Sequence, residues 1–380
     1  MSHAPSEALE RRHRAVREQF DALSLNALVV TSLANINYLT NFSGSAAIVV
    51  LGRDVVYFLT DSRYVTTVSQ DQSTPFACPG FELVVVEGSY DATLAHALAM
   101  RGLTRVGFEA AHLTVNRLQW LQKTLTSVAA SIELVATEGV VERCRVVKDD
   151  YEIGVLRHAG HLLSQVASDV LDQVQPGMTE RELAFAIESR MHERGFSRPA
   201  FETIVASGPN AALPHARPTE RKLTEGDLVV LDFGGVYDSY CVDLTRTVCL
   251  GEASTRVREV YNAVRAAHDA AVAAVGPGQS RFAIDGAARD RLAQAGMGDA
   301  FGHGTGHGLG IDVHEDPRIV RRRPDVDARH ELVRPGMVFT IEPGAYFPDW
   351  GGVRIEDDVL VTDTGVELLT HVTTELREIH

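Results

Sequence analysis

Lysine is nearly missing from these 380 residues: it occurs only at Lys123, Lys148 and Lys222, and the remaining basic residues are arginines. Few side chains are therefore left for a Schiff-base or phosphate-binding lysine. The four cysteines, Cys78, Cys144, Cys241 and Cys249, are far apart and form no Cys-x-x-Cys, which argues against a disulfide framework or a structural zinc site and suits a reducing compartment. No apolar run approaches the roughly 20 residues that cross a bilayer. The stretch from Ser6 to Arg12 enters a charged amphipathic pattern instead of the apolar core of a signal peptide. A cytoplasmic protein with no membrane partner is the expectation. Positive charge is also short, with 36 Lys and Arg against 51 Asp and Glu and a formal net charge of −15. A nucleic-acid binder would show a basic stripe, so no nucleic-acid partner is expected.

What is present is apolar residue in quantity, 45% of the chain, over a length at which one core usually stops growing. Two domains are expected. Residues 1–145 alternate helix-like and strand-like patterns, with a helix over Arg11 to Leu23 and buried strands over Asn26 to Thr31, Ala46 to Leu51 and Val55 to Leu59. This predicts an α/β domain. A charged stretch from Glu142 to Asp150 then leads into a long helical segment, Tyr151 to Val174, so the second domain is placed at 146–380.

That second part echoes itself. Val174-Gln175-Pro176-Gly177-Met178-Thr179 resembles Val275-Gly276-Pro277-Gly278-Gln279-Ser280, each between helical segments, and Thr179 with Glu182 fits a capping box. Further on, Gly226 lies six residues before Asp232 and Gly336 six before Glu342, and each acid ends an apolar run. Two such halves predict a pseudo-symmetric α+β domain whose twofold would bring the two acids together.

Asp232 ends a strand that should be buried, and burying an unpaired carboxylate is costly. A second strand follows Gly234, Gly235 and Asp238 and carries Asp243. With a short, unbulged turn the two acids lie opposite each other on one face. They then share a proton or a cation. Alternation sends Arg246 to the other face and sets Thr245 beside Asp243 as a hydrogen-bond partner. The segment from Phe301 to Glu315 places His303, His307 and His314 among closely spaced glycines, without the context of a phosphate loop. They read as one metal ligand plus groups that contact substrate or handle protons. Glu342 and Glu356 each follow β-branched or aromatic residues and should be buried, with Asp357 an alternative to Glu356. Four carboxylates and one imidazole suit two divalent ions that share bridging carboxylates, four negative charges against four positive. Such a pair clamps nucleophile and developing oxyanion together, the chemistry of amide hydrolysis.

These residues resemble the metallopeptidase family of methionine aminopeptidase, aminopeptidase P and prolidase, with its creatinase-like "pita-bread" catalytic fold. The resemblance implies that Asp232 chelates one ion, that His307 and Glu342 hold the other, and that Asp243 and Glu356 bridge. It also makes Glu342 the proton shuttle, chooses His307 among the histidines, and chooses Glu356 over Asp357. Asn35 to Gly44 and Thr60-Asp61-Ser62-Arg63-Tyr64 look like the N-terminal creatinase-like domain of Xaa-Pro peptidases. His215, in Leu213-Pro214-His215-Ala216-Arg217-Pro218, matches a histidine that contacts substrate, and His303, His314, Tyr346 and Arg354 fall on other substrate positions. His215 and His314 are further expected to assist catalysis. Arg318 looks like the prolidase arginine that meets a dipeptide's carboxylate, whereas Arg321-Arg322-Arg323 reads as a solvated loop. The resemblance thus implies an exopeptidase cutting the Xaa-Pro bond of dipeptides or short peptides with manganese or cobalt, zinc or iron being other candidates, and working as a homodimer. The alternatives are a creatinase-like non-peptide hydrolase and a non-catalytic binding protein on the same fold; retention of all five ligands speaks against both.

Overall fold

The computed structural model describes residues 3–127, 131–324 and 331–380. The chain divides into two compact units, residues 1–145 and 146–380.

In the first unit the apolar runs become a six-stranded mixed sheet, ordered Phe81–Val86, Val56–Asp61, Ile48–Gly52, Ala27–Val30, Arg105–Glu109, Glu133–Thr137. Only the three successive strands from Ala27 to Asp61 pair antiparallel; the other neighbours are parallel. Leu94 and Leu98 from the helix Tyr90–Ala99 pack on Val29, Val50 and Phe108 of the sheet. The first helix runs Ser6–Leu23, beginning before the Arg11 expected from its pattern, because Ala8 and Leu9 extend the buried stripe that continues through Val16 and Phe20. Asp61 caps the helix Ser62–Asp71 by accepting the Arg63 N–H at 3.1 Å. Glu109, buried at the end of its strand, accepts the N–H groups of Thr31 and Ser32 and the amide of Asn35 at 2.6–2.8 Å.

The second unit is built from two matching halves. The helices Asp150–Leu171 and Glu180–Glu193 flank the turn at Pro176-Gly177; Thr255–Ala273 and Arg281–Gln294 flank that at Pro277-Gly278. The first of these helices stops at Leu171, short of the Val174 expected. Equivalent backbone bonds tie each turn to the segment before its sheet: the Gly177 N–H donates to Leu223 O and the Gly278 N–H to Val333 O, both at 2.8 Å. Gly226 and Gly336 both have positive φ, 89° and 86°, and lead into the strands Leu228–Tyr237 and Val338–Ile341. The repeat seen in the sequence is thus a repeat of turns that need glycine. Two five-stranded sheets result, one around Leu228–Tyr237 and Tyr240–Leu250, the other around Val338–Ile341 and Asp357–Val361. Leu163, Ile187, Leu231 and Leu244 fill the core of the first half, and Val264, Ile284, Phe339 and Val359 that of the second.

Candidate metal centre

Two acids come from one hairpin. Leu228–Tyr237 and Tyr240–Leu250 are joined by Asp238 and Ser239, both with positive φ, 48° and 73°, a two-residue turn that suits the twist of antiparallel strands. The register sets Thr245 opposite Asp232 and Gly234 opposite Asp243. The expectation that the two acids face each other directly is corrected: they share a face but are staggered by two residues. The reason is that Gly234 and Gly235 lie inside the strand and the chain reverses only at 238–239. A side chain at Gly235 would collide with the ring of Phe196, and one at Gly234 with that of Phe201. These glycines serve packing, and Asp232 sits within its strand instead of ending it.

Thr245 also differs from expectation. Its hydroxyl donates to Glu356 Oε2 at 2.5 Å, not to Asp243, because Glu356 lies across an isolated bridge whose N–H donates to Thr245 O at 3.1 Å. Arg246 points to the opposite face, where it pairs with Asp357 at 2.8 Å. Asp357 also accepts from Thr370 and lies 3.0 Å from His268. Its own partners occupy it away from the cavity that Glu356 lines.

The glycine-rich segment supplies the imidazole. Gly306–Gly308 is a short strand between Glu315–Ile319 and Val338–Ile341. Any side chain at Gly306 would overlap the Thr340 carbonyl, so only glycine lets the strands approach this closely. His307 Nδ1 faces Gly308 O at 3.1 Å, which puts the proton there and leaves the Nε2 lone pair facing Glu342 Oε1 at 3.5 Å. Glu342 follows its strand directly, with its N–H bonded to Thr305 O at 2.7 Å.

Asp232, Asp243, His307, Glu342 and Glu356 all line one cavity of about 480 Å³. One ligand atom each from Asp243, His307 and Glu356 lies within 4.8 Å of the others. Buried Asp232 Oδ1 and Asp243 Oδ1 have no hydrogen-bond partner among the described residues. Burial, and then the charges of Asp232, Asp358 and Glu342, push the Asp243 carboxyl well up; burial and the neighbouring acids do the same to Glu356. Burial holds His307 down at about 3, so its ring is neutral and able to ligate. The buried Arg354 contributes one positive charge, pairing with Asp232 while donating to Tyr346 Oη at 2.8 Å and to Thr245 Oγ1 at 3.2 Å. One guanidinium faces four carboxyl groups, and those of Asp243 and Glu356 are driven towards the protonated form, so full ionisation of the set calls for added positive charge. Oxygen-rich donors with orphaned lone pairs and a neutral imidazole fit divalent cations.

The remaining candidates surround this centre. His303 Nε2 lies 2.9 Å from Tyr346 Oη, and burial holds its ring down at about 4. The rings of His307 and His314 lie edge to face, 4.3 Å apart. His215, His314 and Arg318 line the cavity; the exposed Arg318 guanidinium forms no ion pair among the described residues, though its charge acts to lower the Glu342 carboxyl. Arg321 to Arg323 are exposed, and Arg322 pairs with Glu331. Two contributors escaped the sequence reading. Buried Asp358 accepts the Asp243 N–H at 2.9 Å; its adjacency to Glu356 and Asp357 was the one available signal. Glu180 accepts from Ser207, Asn210 and Thr219 and so ties down both ends of the loop that carries His215. No local pattern marks that.

Comparison with known proteins matches residues 154–363 to metallopeptidase family M24 and residues 12–147 to the creatinase/prolidase N-terminal domain. The chain is 37% identical to the uncharacterized peptidase YqhT of Bacillus subtilis, over 95% of this chain and 98% of that protein. Among solved structures, the Xaa-Pro dipeptidase from Bacillus anthracis superposes with a TM-score of 0.89 at 34% identity, covering 98% of this chain and 100% of that one. The X-Pro aminopeptidase from Thermotoga maritima superposes with a TM-score of 0.84 at 29% identity, covering 95% of this chain and 100% of that one.

Proposed function

Since this chain belongs to metallopeptidase family M24, with a creatinase/prolidase N-terminal domain and the pita-bread catalytic fold, we propose that it hydrolyses the Xaa-Pro bond of dipeptides. The observation that carries the metal site is the pair of buried, partnerless carboxylate oxygens on Asp232 and Asp243, facing the cavity that His307, Glu342 and Glu356 also line. In this reading Asp232, Asp243, His307, Glu342 and Glu356 hold two divalent ions, with manganese or cobalt suited to so oxygen-rich a set. When bound, such ions polarise the scissile carbonyl and acidify the attacking water.

The side chains do the rest. Burial pushes the Glu342 carboxyl up to about 7, matched to taking a proton near neutrality. The proline nitrogen, like any amide leaving group, must gain a proton as the C–N bond breaks, and Glu342 would deliver the one it takes from the attacking water. His215, His303, His314, Tyr346 and Arg354 hold the substrate in register. Arg318, exposed at the cavity and in no ion pair among the described residues, supports a dipeptide over a longer peptide, because its guanidinium can meet a C-terminal carboxylate.

The test is to strip the protein with chelator, restore manganese, cobalt or zinc, and offer an Xaa-Pro dipeptide and an Xaa-Pro-Xaa tripeptide. Cleavage of the dipeptide alone is expected. Cleavage of the tripeptide would move the assignment to an aminopeptidase. Cleavage of neither, with two ions bound, would sink the peptidase reading in favour of a non-peptide hydrolase or a binding protein.

A further inference from the structure

The loop that presents His303 and carries the support of Glu342 is gripped from behind by one pair of residues on the helix Arg281–Gln294. Asp285 and Arg289, one turn apart, form a two-pronged ion pair with N···O distances of 2.6 and 2.9 Å, Asp285 fully buried and the Arg289 side chain 13% exposed. Each partner also reaches the loop. Asp285 Oδ1 accepts the Thr305 hydroxyl at 2.8 Å and the Thr305 N–H at 3.2 Å. Arg289 donates to Phe301 O at 3.2 Å and to His303 O, with its guanidinium stacked 4.3 Å over the Phe301 ring. The Thr305 carbonyl then accepts the Glu342 N–H at 2.7 Å, while the His303 ring meets Tyr346. Two donors and two acceptors on three loop residues are thereby fixed by a single charged pair. A buried ion pair is poor value as a stabiliser, since desolvation offsets much of its attraction; a pair with every prong committed to one loop is suited to setting geometry.

We propose that Asp285 and Arg289 are positioning residues for the reaction, holding Thr305 so that Glu342 and His303 stand in reacting register. They touch none of the five ligand side chains, so at saturating manganese their loss should misplace Glu342 as proton carrier without removing a ligand. The claim rests on the function proposed above.

Arg289→Lys retains a cation but loses the fork, and Asp285→Asn retains shape but loses charge. Each is expected to lower kcat for the Xaa-Pro dipeptide by about 10²-fold, the effect of roughly an ångström of misplacement. The loss should fall more on kcat than on KM, and at saturating manganese the metal stoichiometry should match wild type. The ring nitrogen resonances of selectively labelled His303 should shift in both variants. An unchanged kcat, or a loss that follows metal content, would overturn the proposal. Failure of both variants to fold would assign the pair to the fold and overturn it too. If wild type cleaves neither peptide, the proposed function fails, and the positioning claim is then decided by the His303 resonances alone: shifted if the pair places the loop, unmoved if it does not.

Discussion

At the scale of single residues, the acids of the centre are set by neighbours that carry no ligand themselves. Thr245 is the clearest case. It sits opposite Asp232 in the hairpin, gives its hydroxyl to Glu356 and receives Arg354 Nε. Valine there would keep the strand and the volume but remove both bonds, leaving a Glu356 oxygen unsatisfied in a buried site. Thr245→Val is expected to weaken manganese binding by about 10–100-fold, the usual effect of losing a bond that orients a metal ligand. Competition with a chelating dye measures this directly, and an unchanged affinity would show that Glu356 needs no such support. Asp358 belongs to the same layer, since it fixes the backbone of Asp243. Neither role could be read from spacing, because strand alternation tells which face a side chain takes and not which of two acids on that face it meets.

At the scale of elements, periodicity and turn chemistry made much of the architecture legible. The buried strands of the first unit and the long helix after Asp149 follow from apolar pattern and caps, and Asp149 and Thr179 both form capping boxes. The Pro-Gly repeat was legible because each copy needs a glycine at positive φ to turn back to its sheet. Register was not. Gly234 and Gly235 look like turn residues in a sequence, yet they are strand residues over which aromatic rings pack. A glycine selected for close approach and one selected for a turn have the same one-letter code, and what tells them apart here is the Phe196 ring over Gly235 and the Val242 carbonyl and Phe201 ring against Gly234. The same limit hides the Asp285–Arg289 grip. Its i, i+4 spacing reads as an ordinary surface pair until the loop from Phe301 to Thr305 is laid against it.

At the scale of the whole molecule, the buried charges make stability depend on pH and on metal together. Burial pushes Asp243, Glu356 and Asp358 well above the ordinary carboxyl range, so these groups hold protons more tightly folded than unfolded. Their contribution is full below the ordinary range near 4 and is lost as pH rises through their folded values. His13, His303 and His307, held down by burial at about 4, 4 and 3, act oppositely, but only below the ordinary imidazole value near 6.5. His268, which burial lowers but Asp269 and Asp357 raise further, adds to the loss at higher pH without responding to metal. Glu342, which burial raises to about 7, places part of this loss between pH 7 and 8.5. The metal-free protein should therefore melt at lower temperature as pH rises, while the gain in Tm from added manganese grows over the same interval. Scanning calorimetry with and without the ion checks both, and a metal-free Tm that rises with pH contradicts the sign. The central claim is that one cavity gathers enough carboxylate to require two ions. It is tested most directly by calorimetric titration of the chelator-stripped protein with manganese. Two equivalents per chain are predicted for wild type, with Asp243→Asn losing at least one; saturation below two, or two equivalents retained without Asp243, would contradict it.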